Sequence, residues 1–447
     1  MNRNAASRST LFMLGGVLLV AFVFGGGGIG APRGNLLVQL AAILLLSARM
    51  DNVAQFWRES PLILRGLIIA SLALPLFQII PLPPSAWANL PSAGLVADSL
   101  TAAGAANRWM PASVDPVRTM LALSALITPA TVLWVGWSLP RERLIDCGWG
   151  VVALGLLTVL IGLLQVTSSS EALTPHGSRA PGDLLLGLFA NRNSTALFLG
   201  FTLSLAALLP SPIRHPAVGL IRAAVCVLLM IAVVLTQSRT GQVLALIPLT
   251  LGLIRGLTAL LPQRQGSSGS RSMLIALAAG AIVLGGVGVL VAAAPGRVAA
   301  ALERFEAKDD PRRFIWDDAV FSAERYWPVG AGMGTYDDVS LVDESLENLT
   351  KRRAGRAHND YIELAIEAGA FGLALAFGWI VLVGWLSWKA RHSSMRWAAW
   401  SGGVFLFAVA LQSITDYPLR NQTMLAFAAF ALLLLIRTAS SRRETAA

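Results

Sequence analysis

Apolar runs of roughly 17 to 25 residues recur along this 447-residue chain, each long enough to cross a bilayer as a helix. A helix satisfies all its backbone hydrogen bonds within one segment, which lipid demands of any spanning element. With 55% hydrophobic residues, the chain is expected to be an all-α polytopic membrane protein. About twelve spans are expected. They fall near residues 10–30, 35–48, 62–81, 117–139, 147–167, 184–209, 217–236, 242–261, 273–294, 361–388, 397–415 and 420–437, the second being short. The first run is too long for the apolar part of a cleavable leader and lacks an obvious processing site.

Cations set the expected orientation. With the N-terminus inside, Arg3, Arg8, Arg49, Arg58, Arg141, Arg143, Arg214, Arg222, Arg255, Arg264, Arg271, Lys389, Arg391, Arg396, Arg437, Arg442 and Arg443 all fall in inside segments. Both termini then face the cytoplasm, and the segments 82–116, 168–183, 237–241, 295–360 and 416–421 face out. The net charge of +10 follows from this bias and from anionic headgroups, so no nucleic-acid partner is needed. Cys147 and Cys226 lie at or within apolar spans and read as small packing residues rather than a disulfide.

Three segments result: residues 1–294 with the first nine spans, 295–360 as a large, partly helical periplasmic loop before the tenth, and 361–447 with the last three spans and a cytoplasmic tail. Its polar part, from about Pro295 to His358, holds nearly half of the acids and contains two helical stretches, Val298 to about Lys308 and Arg312 to Tyr326. An earlier outside segment, 82–116, carries Trp87 and Trp109 and suits an element lying against headgroups. The Gly- and Ser-rich stretch Gln263 to Ser272 reads as an inside loop.

His358 stands at the junction between the polar loop and the tenth span. A histidine titrates near neutrality and can take a proton from a hydroxyl. The alternative is an ordinary polar residue at a helix entrance, with Asn359 or Asp360 as the cap. Capping needs only one of those side chains and leaves the histidine unexplained.

Arginines collect at the same outer lip. Arg192 follows Asn191 near the outer end of the sixth span, Arg239 sits in the short turn Gln237-Ser238-Arg239-Thr240-Gly241, and Arg420 stands at the start of the last span. A charge at the hydrocarbon boundary usually faces a polar cavity, and a guanidinium matches phosphate oxygens with two parallel donors. Snorkelling or a structural ion pair is the alternative, and for Arg420 the nearby Asp416 is a candidate partner.

Other groups carry less. Gly330-Ala331-Gly332-Met333-Gly334 does not join a strand to a βαβ helix, so it reads as a tight turn bringing the loop back over the bundle. The pairs Asp309-Asp310, Asp317-Asp318 and Asp337-Asp338 raise a metal, but adjacent helical carboxylates point apart, and a solvated face is the better reading. His176, His215 and His392 are scattered, so no metal site is expected.

The sequence around His358 resembles the bacterial O-antigen ligase and O-antigen polymerase family of polytopic glycosyltransferases. The ligase motif is a histidine, then Asn, Ser or Gln, nine residues, Gly, two residues, and Gly, Thr or Tyr. This chain gives His358-Asn359, nine residues, Gly369, Ala370-Phe371 and Gly372. Gln237 to Gly241 resembles the family's Ser-Arg-small-Gly turn. Arg312 to Trp316 with Pro328 to Gly334 resembles its Arg, Trp and Gly-x-Gly-x-Gly pattern, and Asp416 to Arg420 its last outside turn. Residues 185–435 carry the resemblance.

The resemblance implies an O-antigen ligase of the bacterial inner membrane. Its donor is a glycan on undecaprenyl diphosphate, its acceptor a lipid A-core sugar hydroxyl, and its active site is periplasmic. His358 is the expected catalytic residue, Arg192 and Arg239 bind the diphosphate, and Asn359, Arg420 and Arg312 give support. No cofactor or metal is expected, and the anomeric centre is inverted. A polymerase taking a lipid-linked glycan as acceptor is the alternative, followed by a protein O-oligosaccharyltransferase. A transporter of lipid-linked glycan would show related halves or broken helices near mid-membrane, whereas the polar groups here collect on one side.

Overall fold

The computed structural model describes residues 3–167, 176, 184–213, 215, 217–260, 312–347 and 355–440. Seventeen α-helices run in chain order through these residues. They are α1 (Arg3–Phe24), α2 (Pro32–Ala48), α3 (Met50–Glu59), α4 (Leu62–Ile79), α5 (Pro84–Trp87), α6 (Gly94–Ala102), α7 (Pro116–Ala125), α8 (Ile127–Gly136), α9 (Arg141–Thr167), α10 (Arg192–Leu208), α11 (Val218–Leu235), α12 (Arg239–Leu260), α13 (Arg312–Arg325), α14 (Tyr336–Asp343), α15 (Asp360–Ala390), α16 (Arg396–Gln412) and α17 (Gln422–Ala439). The sheet among the described residues is two short strands, Pro81–Leu82 antiparallel to Met110–Pro111.

Eight spans among these residues are long and apolar enough to cross a membrane. The bent pair α2 and α3, folded through 80°, makes a ninth if it counts as one. The expected second, sixth and eleventh spans are the 17-residue helices α2, α10 and α16. The expected ninth span, the helix from Val298 and the loop from Gln263 lie outside the described residues.

Beyond its polar first turn α10 carries only Thr202 and Ser204 among apolar residues, and its side chains are almost all buried, as a helix at the centre of a bundle must be. Phe198 on it meets Phe22 at 5.5 Å, Phe189 at 5.4 Å and Phe427 at 5.0 Å between ring centroids, and Phe201 stacks on Phe405 at 4.1 Å. Those rings bring α1, α16 and α17 against it. Cys147 and Cys226 are buried free thiols, in keeping with packing roles.

The segments expected to face out depart from expectation in two places. Trp87 is buried, with its indole Nε1 donating to Arg108 O at 2.9 Å, so it closes the 82–116 segment on itself while Trp109 stays exposed. Asp337 and Asp338 are not a solvated face: they meet Arg118 at 3.2 and 2.8 Å.

Past α13, the glycine turn does bring the loop back over the bundle. Ala331 N donates to Ile366 O at 2.7 Å and Gly332 N to Glu367 O at 2.9 Å, while Ala370 N donates to Pro328 O at 3.0 Å. These bonds are possible because α15 breaks at Gly369, whose φ of 57° lies in the left-handed region, so that carbonyls of the first turns are freed for the loop. A side chain at Gly369 would strike Pro328 O. A small second core, Ala319, Ala331, Tyr336, Val339, Ala357 and Ile366, seals this contact.

Candidate active site

His358 immediately precedes the N-cap of α15. Asn359 is that cap: its Oδ1 accepts from Tyr361 N at 3.0 Å and Ile362 N at 3.1 Å. Capping is thus done by Asn359, and His358 has other partners. Its backbone takes φ 52°, a left-handed conformation that is uncommon for a residue with a side chain. The imidazole is 33% exposed, and its Nδ1 lies 3.3 Å from Asp416 Oδ1. An ionised carboxylate accepts only, so in the neutral ring the hydrogen belongs on Nδ1 and the lone pair on Nε2.

Asp416 is fully buried, and its second oxygen accepts from Asn191 Nδ2 at 2.9 Å. Asn191 in turn caps α10, accepting from Asn193 N at 2.9 Å. Asn193 Oδ1 accepts from Ser238 Oγ at 2.7 Å, at the start of α12, and Asn421, the N-cap of α17, reaches Ser194 Oγ at 3.5 Å. Thr240 and Thr415 hydroxyls lie 3.3 Å apart. These links gather the N-terminal ends of α10, α12, α15 and α17 into one place. Each end carries the partial positive charge of a helix N-terminus, a setting that favours an anion.

Arg192 and Arg239 open α10 and α12, so both stand in this gathering of helix starts. Arg192 Nη1 is buried without a hydrogen-bond partner among the described residues. Arg239 is half-buried, one residue after Ser238 and one before Thr240. Arg312 opens α13, whose Trp316 Nε1 donates to Ala357 O at 2.8 Å, which sets that helix beside the backbone of His358.

Arg420 does not pair with Asp416. Its guanidinium reaches Asp360 at 3.1 Å, Glu363 at 3.3 Å and Glu367 at 2.8 Å, three carboxylates that spacings of three and four residues place on one face of α15. Burial works against the Arg420 charge, but Glu367, Glu363 and Asp360 outweigh it and raise its pKa well above the ordinary value. Arg356 joins from the loop, 2.9 Å from Glu363, and Ala357 N donates to the same carboxylate at 3.0 Å. The ladder thereby fixes the segment just before His358. Tyr417 packs its ring 5.1 Å from the imidazole. Burial and the charge of Asp416 push its hydroxyl up to about 12, so it stays protonated at neutral pH.

Residues 224–377 match a protein-family model described as O-antigen ligase. The chain carries an O-antigen ligase family domain. That domain contains Arg239, Arg312, His358 and Asn359, whereas Arg192, Asp416 and Arg420 lie outside the matched stretch. It is narrower than the 185–435 region that carries the resemblance in the sequence. A comparison with curated proteins finds no match. The match over this stretch, together with helices long and apolar enough to cross a membrane, supports a multi-pass membrane protein with a ligase- or polymerase-like glycosyltransferase domain.

Asp416 as the partner of His358, Asn191 as the partner of Asp416, and the buried acids Glu363 and Glu367 were not anticipated as site residues. A usable signal existed for the last two. Acids inside an apolar span are costly unless paired, and Glu363 and Glu367 lie four apart at the mouth of such a span.

Proposed function

We propose that the chain is an O-antigen ligase, transferring a glycan from undecaprenyl diphosphate to a lipid A-core sugar hydroxyl on the periplasmic side of the bacterial inner membrane. The observation that carries this reading is the His358–Asp416 pair, which joins His358 of the ligase-family stretch to a buried carboxylate beyond it, where four helix starts gather. Asp416 holds the imidazole with Nε2 available as a base. His358 Nε2 takes the proton of the acceptor hydroxyl as its oxygen attacks the anomeric carbon, and the bond to the diphosphate oxygen breaks. Attack opposite the leaving group inverts that carbon.

The departing diphosphate gathers negative charge. Arg192 and Arg239 hold it, aided by the N-terminal ends of α10 and α12, in place of the charge a metal would supply, and no nucleotide is required because the energy lies in the diphosphate linkage. Arg420, Asn359 and Arg312 act by positioning. The polyprenyl tail lies against apolar helices, and both termini of the chain are cytoplasmic.

The test is the lipopolysaccharide of a deletion strain carrying either the parental gene or His358→Ala. Lipid-linked polymer that accumulates unattached in the deletion and with the variant, and is attached again with the parent, is the expected pattern. Core bearing a single repeat unit would identify a polymerase instead.

A further inference from the structure

α10 starts among the site residues and runs 17 residues, a rise of about 25 Å, to Leu208 at the opposite end of the bundle. The carbonyls at a helix C-terminus need partners from outside the helix. Here two arginines from different helices supply them. Arg222 of α11 donates through Nη1 to Ala207 O at 3.1 Å and Leu209 O at 2.8 Å. Arg255 of α12 donates through its own Nη1 to the same two oxygens, at 2.9 Å each.

One guanidinium would satisfy both carbonyls. The second adds a full positive charge where a helix C-terminus supplies only about half a unit of negative charge. Neither arginine has an ion-pair partner among the described residues. The two like charges stand side by side, half-buried, with a surplus that an anion would neutralise.

The surroundings narrow the anion. Ile221 and Leu228 on α11 and Leu253, Ile254 and Leu257 on α12 are exposed apolar side chains on membrane-length helices, so the pair borders a lipid-facing surface. Trp149 lies beneath Arg222, 5.4 Å from ring centroid to guanidinium carbon, and its Nε1 donates to Pro210 O at 3.0 Å, as suits an aromatic at the headgroup level. Guanidiniums take phosphate oxygens with paired donors.

We propose that Arg222 and Arg255 form a site for the phosphate of an anionic phospholipid at the membrane surface opposite His358, with its acyl chains along α11 and α12. The full-length protein in neutral detergent is titrated with phosphatidylglycerol and, separately, phosphatidylcholine, and retained lipid is read by native mass spectrometry. The expected result is preferential retention of phosphatidylglycerol, weakened about five-fold by Arg255→Gln and about thirty-fold when Arg222→Gln is added. Arg255→Gln leaves Arg222 on both carbonyls, so the single variant keeps the end of α10 capped, which its elution volume and circular dichroism check. Equal retention of the two lipids by the parent, or equal retention of phosphatidylglycerol by the parent and a folded Arg255→Gln, would overturn the proposal. Inorganic phosphate that protects the parent against heat as well as phosphatidylglycerol does would overturn it in favour of a free anion.

Discussion

Asp416 turns Oδ1 towards Nδ1 of His358 at 3.3 Å while its Oδ2 accepts from the cap of α10, so one buried carboxylate ties the loop histidine to the central helix. Fifty-eight residues separate the pair in sequence. Their meeting depends on α17 and α15 starting at the same level of the bundle as α10. An imidazole held this way keeps its free nitrogen pointed consistently, which a mobile loop residue could not do.

His358→Ala should lower transfer by about 10²- to 10⁴-fold, the range expected for losing a general base. The fold should survive, because the partly exposed ring contributes little to a bundle held by apolar packing. A left-handed backbone disfavours alanine but not glycine, so His358→Gly should be equally inactive and melt no lower than the alanine variant. A folded variant transferring at near the parental rate would remove His358 from the chemistry.

Asp416→Asn keeps the shape but removes the charge that stabilises a protonated imidazole. Transfer should drop by at least about tenfold. In the double variant with His358→Ala the asparagine should cost nothing further, since groups acting through one another are not additive. Additive losses in that cycle would place Asp416 in a task separate from the histidine.

Arg239→Lys and Arg192→Lys should each weaken donor use more than a charge-conserving change suggests, because lysine loses the planar pair of donors. Arg192 is the sharper case, its Nη1 being buried without a hydrogen-bond partner among the described residues. KM for the donor should rise several-fold with the acceptor KM unmoved. Unchanged donor KM in both variants would reduce the two arginines to anchors at the membrane lip.

Arg420→Gln should act on stability first. Removing one member of a buried ionic cluster leaves its partners uncompensated, a loss of about 3 to 5 kcal/mol. Three carboxylates, two of them fully buried, face this arginine, and Arg356 can relieve only Glu363. Adding Glu367→Gln to the same protein should recover part of the loss in thermal unfolding. A single variant melting like the parent would show that the ladder is not fixing the start of α15.

The sequence made the helical class readable because an apolar run of membrane length has few ways to fold. It also singled out His358, Arg192 and Arg239, which stand at the starts of α15, α10 and α12, but it marked Gly369 only as a motif position and not as a break in the helix. It did not reveal which acid belongs to which base. Asp416 lies four residues from Arg420 and seemed its natural partner by proximity, yet the turn at Pro418 directs Arg420 across to α15 and leaves Asp416 facing His358 and Asn191. Trp87 illustrates the same limit: an aromatic near a membrane surface can anchor there or fold back, and only its bond to Arg108 O distinguishes the two.

Transfer should continue in excess EDTA. A diphosphate leaving group needs positive charge where it departs, from a metal or from the protein itself. Here Arg192 and Arg239 open α10 and α12, and the N-terminal ends of four helices converge on the same ground. The nearby acids are committed elsewhere: Asp416 to His358 and Asn191, Asp360, Glu363 and Glu367 to Arg420, and Asp337 and Asp338 to Arg118. Using one of them as a metal ligand would mean breaking an ion pair or hydrogen bond that shapes the site. The assay uses purified protein and a defined polyprenyl-diphosphate donor, first stripped with chelator and then supplemented with magnesium or manganese. Turnover unchanged through both steps is the expected outcome, whereas activity that disappears on stripping and returns only with the cation would transfer the electrostatic role from the arginines to a bound metal.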